Sequence, residues 1–315
     1  MDCPLLIHVG YHKTATTWLQ NFIFNNSELG FTSPWGAQSG LAAKAFILKN
    51  SYRFDSEVAR SEFRGLYNFG QRDGLVPVIS NEALCGQPIQ GGRFAYSKHV
   101  ADRLHNAFPE AQILVVIREQ KSSIISHYRQ YVANGGMHSI ESYIGDRNLP
   151  PGFAPPCPID HFEYDLYVSY LQSIFDKENV LVLPFETLRL DRKSFVNKIC
   201  FFAGLDECSE LPESPPSRVG LKGYALGLRR FFNQANFGIP DWSLGRQSIQ
   251  CRVAGKLSRK VNSIVPGVLN EKYESKLKKA VAERIGDRFA DSNHRLAELT
   301  GLSLAELGYP LKKSG

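Results

Sequence analysis

The chain has 315 residues, 43% of them hydrophobic and 22% charged, the balance of a globular protein, which excludes a disordered or fibrous one. Its formal charge of +6 is spread along the sequence without a run or stripe of Lys/Arg, so small anionic ligands suit it better than a nucleic acid does. The six cysteines (Cys3, Cys85, Cys157, Cys200, Cys208 and Cys251) lie far apart, with no CxxC pair and no zinc-ligand spacing, and read as reduced thiols.

Pro4 to Val9 is too short an apolar stretch for a signal segment, and no segment approaches the ~18 apolar residues of a membrane span. A soluble, cytoplasmic protein without a membrane partner is the expectation. In chain order, Pro4 to Val9 reads as a buried strand ending at Gly10, and the residues from Thr16 onward read as a helix with Trp18, Leu19, Phe22 and Ile23 on one face. Leu75 to Ser80 reads as strand, Lys98 to Phe108 as helix, Gln112 to Ile117 as a second buried strand and Lys121 to Asn134 as helix. Glu163 to Lys177 follows as helix, Asn179 to Pro184 as strand and Asp191 to Ala203 as helix.

Strands alternating with helices imply βαβ units, hence an α/β fold with a mostly parallel central sheet flanked by helices. Ligands of such sheets bind beyond the carboxyl ends of the strands. The proline-rich stretch from Gly135 to His161 reads as a long loop over the site, and Leu269 to Gly315 as a largely helical tail. The prolines from Pro212 to Pro216 read as a connector inside one domain, so residues 1–315 are expected to form a single domain.

Gly10-Tyr11-His12-Lys13-Thr14-Ala15-Thr16-Thr17-Trp18 lies between the first strand and the first helix. A helix start exposes unpaired N–H groups and a partial positive charge, so a loop of small residues there can wrap a phosphate, with Lys13 adding charge and the threonines adding donors. A nucleotide kinase would need GxxxxGK[ST] and a carboxylate to hold a metal; this loop lacks the glycine before its lysine, and the strand Gln112 to Ile117 runs into Arg118. A kinase and a non-catalytic nucleotide-binding scaffold are the alternative readings.

Lys13-Thr14-Ala15-Thr16-Thr17-Trp18 resembles the 5′-phosphosulfate loop of sulfotransferases that use 3′-phosphoadenosine 5′-phosphosulfate (PAPS), written K-[ST]-G-T-T-x-L. The resemblance implies a three-layer P-loop-like fold and transfer of a sulfonate group from PAPS to a small-molecule acceptor, releasing 3′,5′-adenosine bisphosphate (PAP), with no metal. It implies that Lys13 reaches the bridging oxygen, that Thr14, Thr16 and Thr17 hold the 5′-phosphate, and that Trp18 lies against the adenine, unless Trp18 belongs to the core. Ala15 stands where the family has glycine, and a negative φ is expected there, because alanine is disfavoured in left-handed backbone. Arg118 and Ser126 match the family's R-x₇-S pair for the 3′-phosphate and are expected to have no other role.

Glu82, just beyond the strand ending at Ser80, is taken by the same resemblance as the general base. His12 is the rival, titrating near neutrality or, beside phosphates, staying protonated as an anion donor; His138 and His161 are weaker candidates. The family's basic C-terminal loop is left unassigned between Arg218-Val219-Gly220 and Lys222-Gly223. The tail segments Ser292-Asn293-His294-Arg295-Leu296 and Leu307-Gly308-Tyr309-Pro310, and Glu186 after the last strand, are similar to bacterial members. Phe94, Tyr96, Phe153 and Phe162 are candidates for an acceptor pocket.

Overall fold

The computed structural model describes residues 5–33, 40–72, 74–86, 96–145, 156–213, 221, 223–235, 255, 256, 258, 260, 261 and 266–312. Five strands form one sheet: β1 (Leu6–His8), β2 (Phe31–Thr32), β3 (Val76–Ser80), β4 (Gln112–Ile117) and β5 (Val180–Pro184), in the order β2-β3-β1-β4-β5. Every pairing is parallel. β1 lies between β3 and β4, with Ile7 opposite Ile79 on one side and Ile113 on the other.

Strand side chains alternate between faces, and here both faces are buried. Ile113, Val115 and Ile117 of β4 join one apolar cluster, while Leu114 and Val116 join a second across the sheet. The first cluster is completed by α3 (Ser97–Ala107), α4 (Gln120–Ala133), α6 (Tyr164–Phe175), α10 (Gly267–Ile285) and α11 (Ala290–Thr300), through residues such as Leu104, Ile124, Leu171, Val281 and Leu296. The second is closed by Leu19 and Ile23 after the first loop and by Phe195, Val196 and Ile199 of α8 (Arg192–Phe202). Helices thus cover both faces, the three-layer α/β architecture expected. Each fully buried Leu, Ile, Val or Phe contributes about 1.5–3 kcal/mol, so the continuous apolar runs that announce the strands also hold the layers together.

Several elements depart from expectation. The first helix begins as α1 (Thr16–Trp18) and continues as a π-helix over Leu19–Ile23. That register buries Leu19, Gln20 and Ile23 and leaves Trp18 and Phe22 half-exposed. The stretch from Gly135 to His161 is not all loop: α5 (Ile140–Ile144) lies in it, and Tyr143, Ile144 and Cys157 are buried in the first cluster. Residues 146–155 of it lie outside the described residues, as do Phe94, Phe153, Arg218, Val219, Gly220 and Lys222. α2 (Ser56–Arg72), α7 (Phe185–Leu190) and α9 (Gly223–Ala235) are helices that periodicity did not announce. Among the described residues no helix is long and apolar enough to cross a membrane.

Candidate functional site

Because β1, β3 and β4 are adjacent and parallel, the segments leaving their carboxyl ends emerge side by side. They carry Lys13, Glu82 and Arg118 respectively. The three groups sense one another. Burial holds the Lys13 ammonium below its usual range and Arg118 adds to that, while Glu82 opposes it. Burial likewise raises the Glu82 carboxyl above the usual carboxylate range, with Lys13 pulling it back.

The loop after β1 is held from several sides. Tyr11 donates its N–H to the Val116 carbonyl at 3.0 Å, prolonging the ladder to β4. Lys13 and Ala15 both take positive φ, 71° and 63°, so the expectation of a negative φ at Ala15 is corrected. The reason is positional: Ala15 is the cap residue of α1, its carbonyl accepting the N–H groups of Trp18 and Leu19 at 2.9 and 3.1 Å, and the chain enters that helix in the left-handed conformation. Alanine there costs about 1–2 kcal/mol of local strain, carried by the surrounding packing. No side chain caps α1. Thr14 is fully buried and its hydroxyl donates to the Tyr11 carbonyl, so its backbone N–H rather than its side chain is left for a ligand. The Thr16 hydroxyl and the Trp18 indole N–H are buried without a hydrogen-bond partner among the described residues. Thr17 is exposed, and Arg192 lies over the Trp18 ring at 5.3 Å. Trp18 packs at the edge of the second cluster without being fully buried.

Beneath the loop, His8 Nδ1 lies 2.8 Å from Ser80 Oγ, and the Gln20 amide donates to Ser80 Oγ and to the Ser80 carbonyl, each at 3.1 Å. This network joins β1, β3 and the helix after the loop. A Cβ on Gly10 would stand 2.2 Å from His8 Nε2, so glycine is required by the close approach of that ring.

Glu82 opens a 3₁₀ turn, Glu82–Cys85, capped by Asn81, whose side chain accepts the Ala83 N–H at 2.9 Å. Cys85 Sγ lies 3.2 Å from the Glu82 carbonyl and 3.6 Å from the Gly10 carbonyl, tying this turn to the loop. Arg118 donates through Nε to Ser122 Oγ at 3.1 Å and through Nη1 to the Lys13 carbonyl at 3.1 Å, and its guanidinium lies 5.0 Å from the Phe185 ring. Arg118 thus braces the strained loop, a second role that the sequence reading denied it. Its hydroxyl partner on α4 is Ser122; Ser126, one turn on, is half-buried. Among the described residues Arg118 forms no ion pair; Glu119 instead caps α4, accepting the N–H groups of Lys121 and Ser122 at 2.9 and 2.7 Å.

His12 does not titrate near neutrality. It is 7% exposed, and burial, with Lys13 adding to it, lowers its pKa to about 4. It belongs to a buried group: its ring lies 6.2 Å from that of His127, and His161 lies 4.8 Å from the Tyr11 ring and 5.4 Å from that of Phe162. His161 is therefore no surface loop residue, and burial lowers its pKa to about 3. His127 donates through Nδ1 to the Ser123 carbonyl at 2.8 Å and is held well below its ordinary value, first by burial. His138 is exposed, its ring stacked 6.1 Å from that of Tyr131. Phe162 is fully buried in the first cluster, and Tyr96 is exposed. His8, Ser80, Gln20, Ser122 and His127 escaped the sequence reading; the signal for the first two was a polar residue inside an otherwise apolar strand.

A parallel sheet whose adjacent strand ends carry Lys13, Glu82 and Arg118 defines an α/β protein with its candidate site at the carboxyl ends of the strands. Residues 93–210 match the model of a sulfotransferase family. No curated protein is a significant match. Among solved structures it is similar to a sulfotransferase from Alicyclobacillus acidocaldarius (19% identity over 79% of this chain and 98% of that one, TM-score 0.49). It is also similar to the sulfotransferase domain from the curacin biosynthetic pathway (11% identity, 90% and 97%, TM-score 0.38). The sulfotransferase domain from the Synechococcus PCC 7002 olefin synthase is a third (14%, 89% and 94%, 0.39). These are likenesses of outline only.

Gly10→Ala should push His8 from its seat and lower stability by about 1–3 kcal/mol, as overpacking does. Ala15→Gly removes the left-handed strain and should hold or raise the thermal midpoint. An unchanged midpoint for Gly10→Ala would show that the His8 ring is not fixed where the loop needs it.

The neutral histidines also set the acid limb of stability. His8, His12 and His161 have folded pKa values near 3, 4 and 3 against 6.5 in a model peptide, and His127 is shifted the same way. Below pH 6.5 the unfolded chain therefore binds protons that the folded chain refuses, so stability falls as pH drops through this window and levels off above it. Thermal midpoints at pH 7.5, 6.5 and 5.5 should show a small loss over the first interval and a larger one over the last. A flat profile to pH 5.5 would place these rings in water.

Proposed function

We propose that the protein is a PAPS-dependent sulfotransferase that transfers the sulfonate group to a hydroxyl or amine of a small-molecule acceptor, as a single domain working in the cytoplasm. The observation that carries the reading is the convergence of Lys13, Glu82 and Arg118 at the ends of three adjacent parallel strands, close enough for Arg118 and Glu82 each to perturb Lys13. The buried, open Thr16 hydroxyl, Trp18 N–H and uncapped helix start fit a phosphorylated nucleotide, whose oxygens would accept from the donors. The buried free thiols Cys85, Cys157, Cys200 and Cys208 suit a reducing compartment. The apolar residues that the tail adds to the first cluster favour one domain.

In this reading the Lys13 to Trp18 loop holds the 5′-phosphosulfate and the adenine edge: backbone N–H groups of Thr14, Ala15, Thr16 and Thr17 face the 5′-phosphate, and Trp18 offers its free edge to the base. Arg118 and Ser126 hold the 3′-phosphate. The acceptor oxygen or nitrogen attacks sulfur in line, its bond to sulfur forming as the bond to the bridging oxygen breaks. Glu82 takes the acceptor proton, and the raised basicity that burial gives it suits that task. Lys13 meets the charge that develops on the leaving oxygen, and PAP departs. His12, neutral and mostly buried, serves as a wall and hydrogen-bonding neighbour of the loop rather than as a standing cation. No step requires a metal.

Glu82→Gln keeps shape and removes basicity, so turnover should fall by about 10² to 10⁴ with PAP affinity nearly unchanged. Wild-type kcat/KM should rise with pH through the raised Glu82 pKa, and the variant should lose that limb. Normal turnover in the variant would move the base elsewhere.

Arg118→Ala should weaken PAP by roughly 10- to 150-fold, the worth of a charge-assisted hydrogen bond to phosphate. Adenosine 5′-phosphate lacks the 3′ group, yet it should also weaken by about 2- to 10-fold, because the variant frees the Lys13 carbonyl as well. Calorimetry with both ligands on wild type and variant reads the difference. Equal losses for the two ligands would remove Arg118 from 3′-phosphate recognition.

A further inference from the structure

The turn that carries Arg118 is held almost entirely by residues distant in sequence. The Arg118 carbonyl accepts the Tyr164 hydroxyl at 2.7 Å. The Glu119 N–H donates to Glu186 Oε1 at 3.0 Å, and Glu186 Oε2 accepts the Tyr309 hydroxyl at 3.0 Å. The Gln120 side chain is fully buried, bonded to the Asn293 side chain and within 3.4 Å of the Phe162 carbonyl, and Asn293 Nδ2 donates to the Pro310 carbonyl at 2.9 Å. Each of three successive residues is thereby pinned, two of them by the last fifty residues of the chain.

The register explains why Glu186 reaches this place: Pro184 lies opposite Ile117 across the β4–β5 pairing, so the residue two beyond the strand end stands beside the Glu119 N–H. Tyr309 is 2% exposed and its hydroxyl is spent on Glu186, which also lies within electrostatic range of Arg118. Asn293 is anchored by the helix around it, where Ser292 donates to Asp165 and Arg295 pairs with the same carboxylate at 2.6 Å.

We infer that the Tyr309–Glu186–Glu119 chain and the Asn293–Gln120 pair form a clasp by which the C-terminal segment positions Arg118 for the 3′-phosphate, Tyr309 and Glu186 being positioning residues that act through the turn. This rests on the reading of the protein as a PAPS enzyme. Of the two tail segments that the sequence singled out, the one around Asn293 touches the turn directly through Gln120, and the one around Tyr309 reaches it through Glu186. A tail needed only to cover the core would require Leu296, Leu304 and the Tyr309 ring; it would not require a hydroxyl aimed at a carboxylate that in turn holds the turn's N–H.

The test is the 3′-phosphate increment, the ratio of the dissociation constants of adenosine 5′-phosphate and PAP, measured by calorimetry on the full chain. Tyr309→Phe removes one oxygen and leaves the ring; the increment should shrink by about 3- to 30-fold while adenosine 5′-phosphate binds nearly as in wild type. Glu186→Ala should do the same, and Glu186→Gln, which keeps an acceptor for the Glu119 N–H, should restore most of the increment. If Tyr309→Phe and Glu186→Ala lower the thermal midpoint but keep the wild-type increment, the clasp serves stability alone and the inference is wrong. A wild-type increment of one would instead sink the PAPS reading itself, and the clasp's purpose with it.

Discussion

Parallel pairing of β1 with both of its neighbours is the constraint on which the candidate site depends. In an antiparallel sheet the segments after β3, β1 and β4 would leave from opposite edges; here all three leave from one. The Gly10 to Thr17 loop, the turn holding Glu82 and the turn holding Arg118 therefore lie side by side without any long chain excursion. Their bonds to one another are short cross-links: Arg118 to the Lys13 carbonyl, Cys85 to the Gly10 carbonyl, and the Asn81 N–H to the His8 carbonyl at 3.3 Å. A sheet buried on both faces resists bending, so positions at its strand ends are fixed better than positions on a free loop.

The loop stores strain at two positive-φ residues, Lys13 and Ala15, and the contacts around it explain how that strain is tolerated. A relaxed loop would turn its carbonyls and N–H groups to satisfy themselves; this one is held with N–H groups open by Tyr11 on β4, by the Thr14 hydroxyl on the Tyr11 carbonyl, and by the His8–Ser80–Gln20 network below. A few hydrogen bonds of about 1 kcal/mol each are enough to offset two left-handed residues. Donors prepared in this way do not have to be reorganised when an anion arrives, which is how electrostatic preorganisation acts.

Legibility in the sequence followed burial. β4 was readable to the residue because a strand covered on both faces is an unbroken apolar run, whereas β2, two residues long, carries no period at all. α2 hid because its charged residues outnumber the few apolar ones it buries, such as Ala59 and Phe63. At the site, residue types and spacing placed Lys13, Glu82 and Arg118 at strand ends correctly. What they could not convey was environment. The protonation of His12 depends on burial beside His127 and His161, which come from distant segments, and the conformation of Ala15 depends on its place as the cap of the helix that follows. Arg118 bonds Ser122 rather than Ser126 because a side chain leaving the strand end meets the first turn of α4 before the second.

Neutral histidines also bear on the charge of the site. Arg118 lowers the Lys13 ammonium further after burial has done so, Glu82 opposes that shift, and Glu186 acts on Arg118 in the same compensating sense. A protonated His12 would add a third cation to these partly desolvated groups, where charges a few ångströms apart interact several times more strongly than in water. Burying that ring beside His127 keeps it uncharged. In the proposed mechanism a third cation would draw an anion more tightly while pulling the Glu82 pKa down, away from the range in which a carboxylate accepts a proton, so the histidine packing under the loop would set the balance between holding an anion and keeping a base.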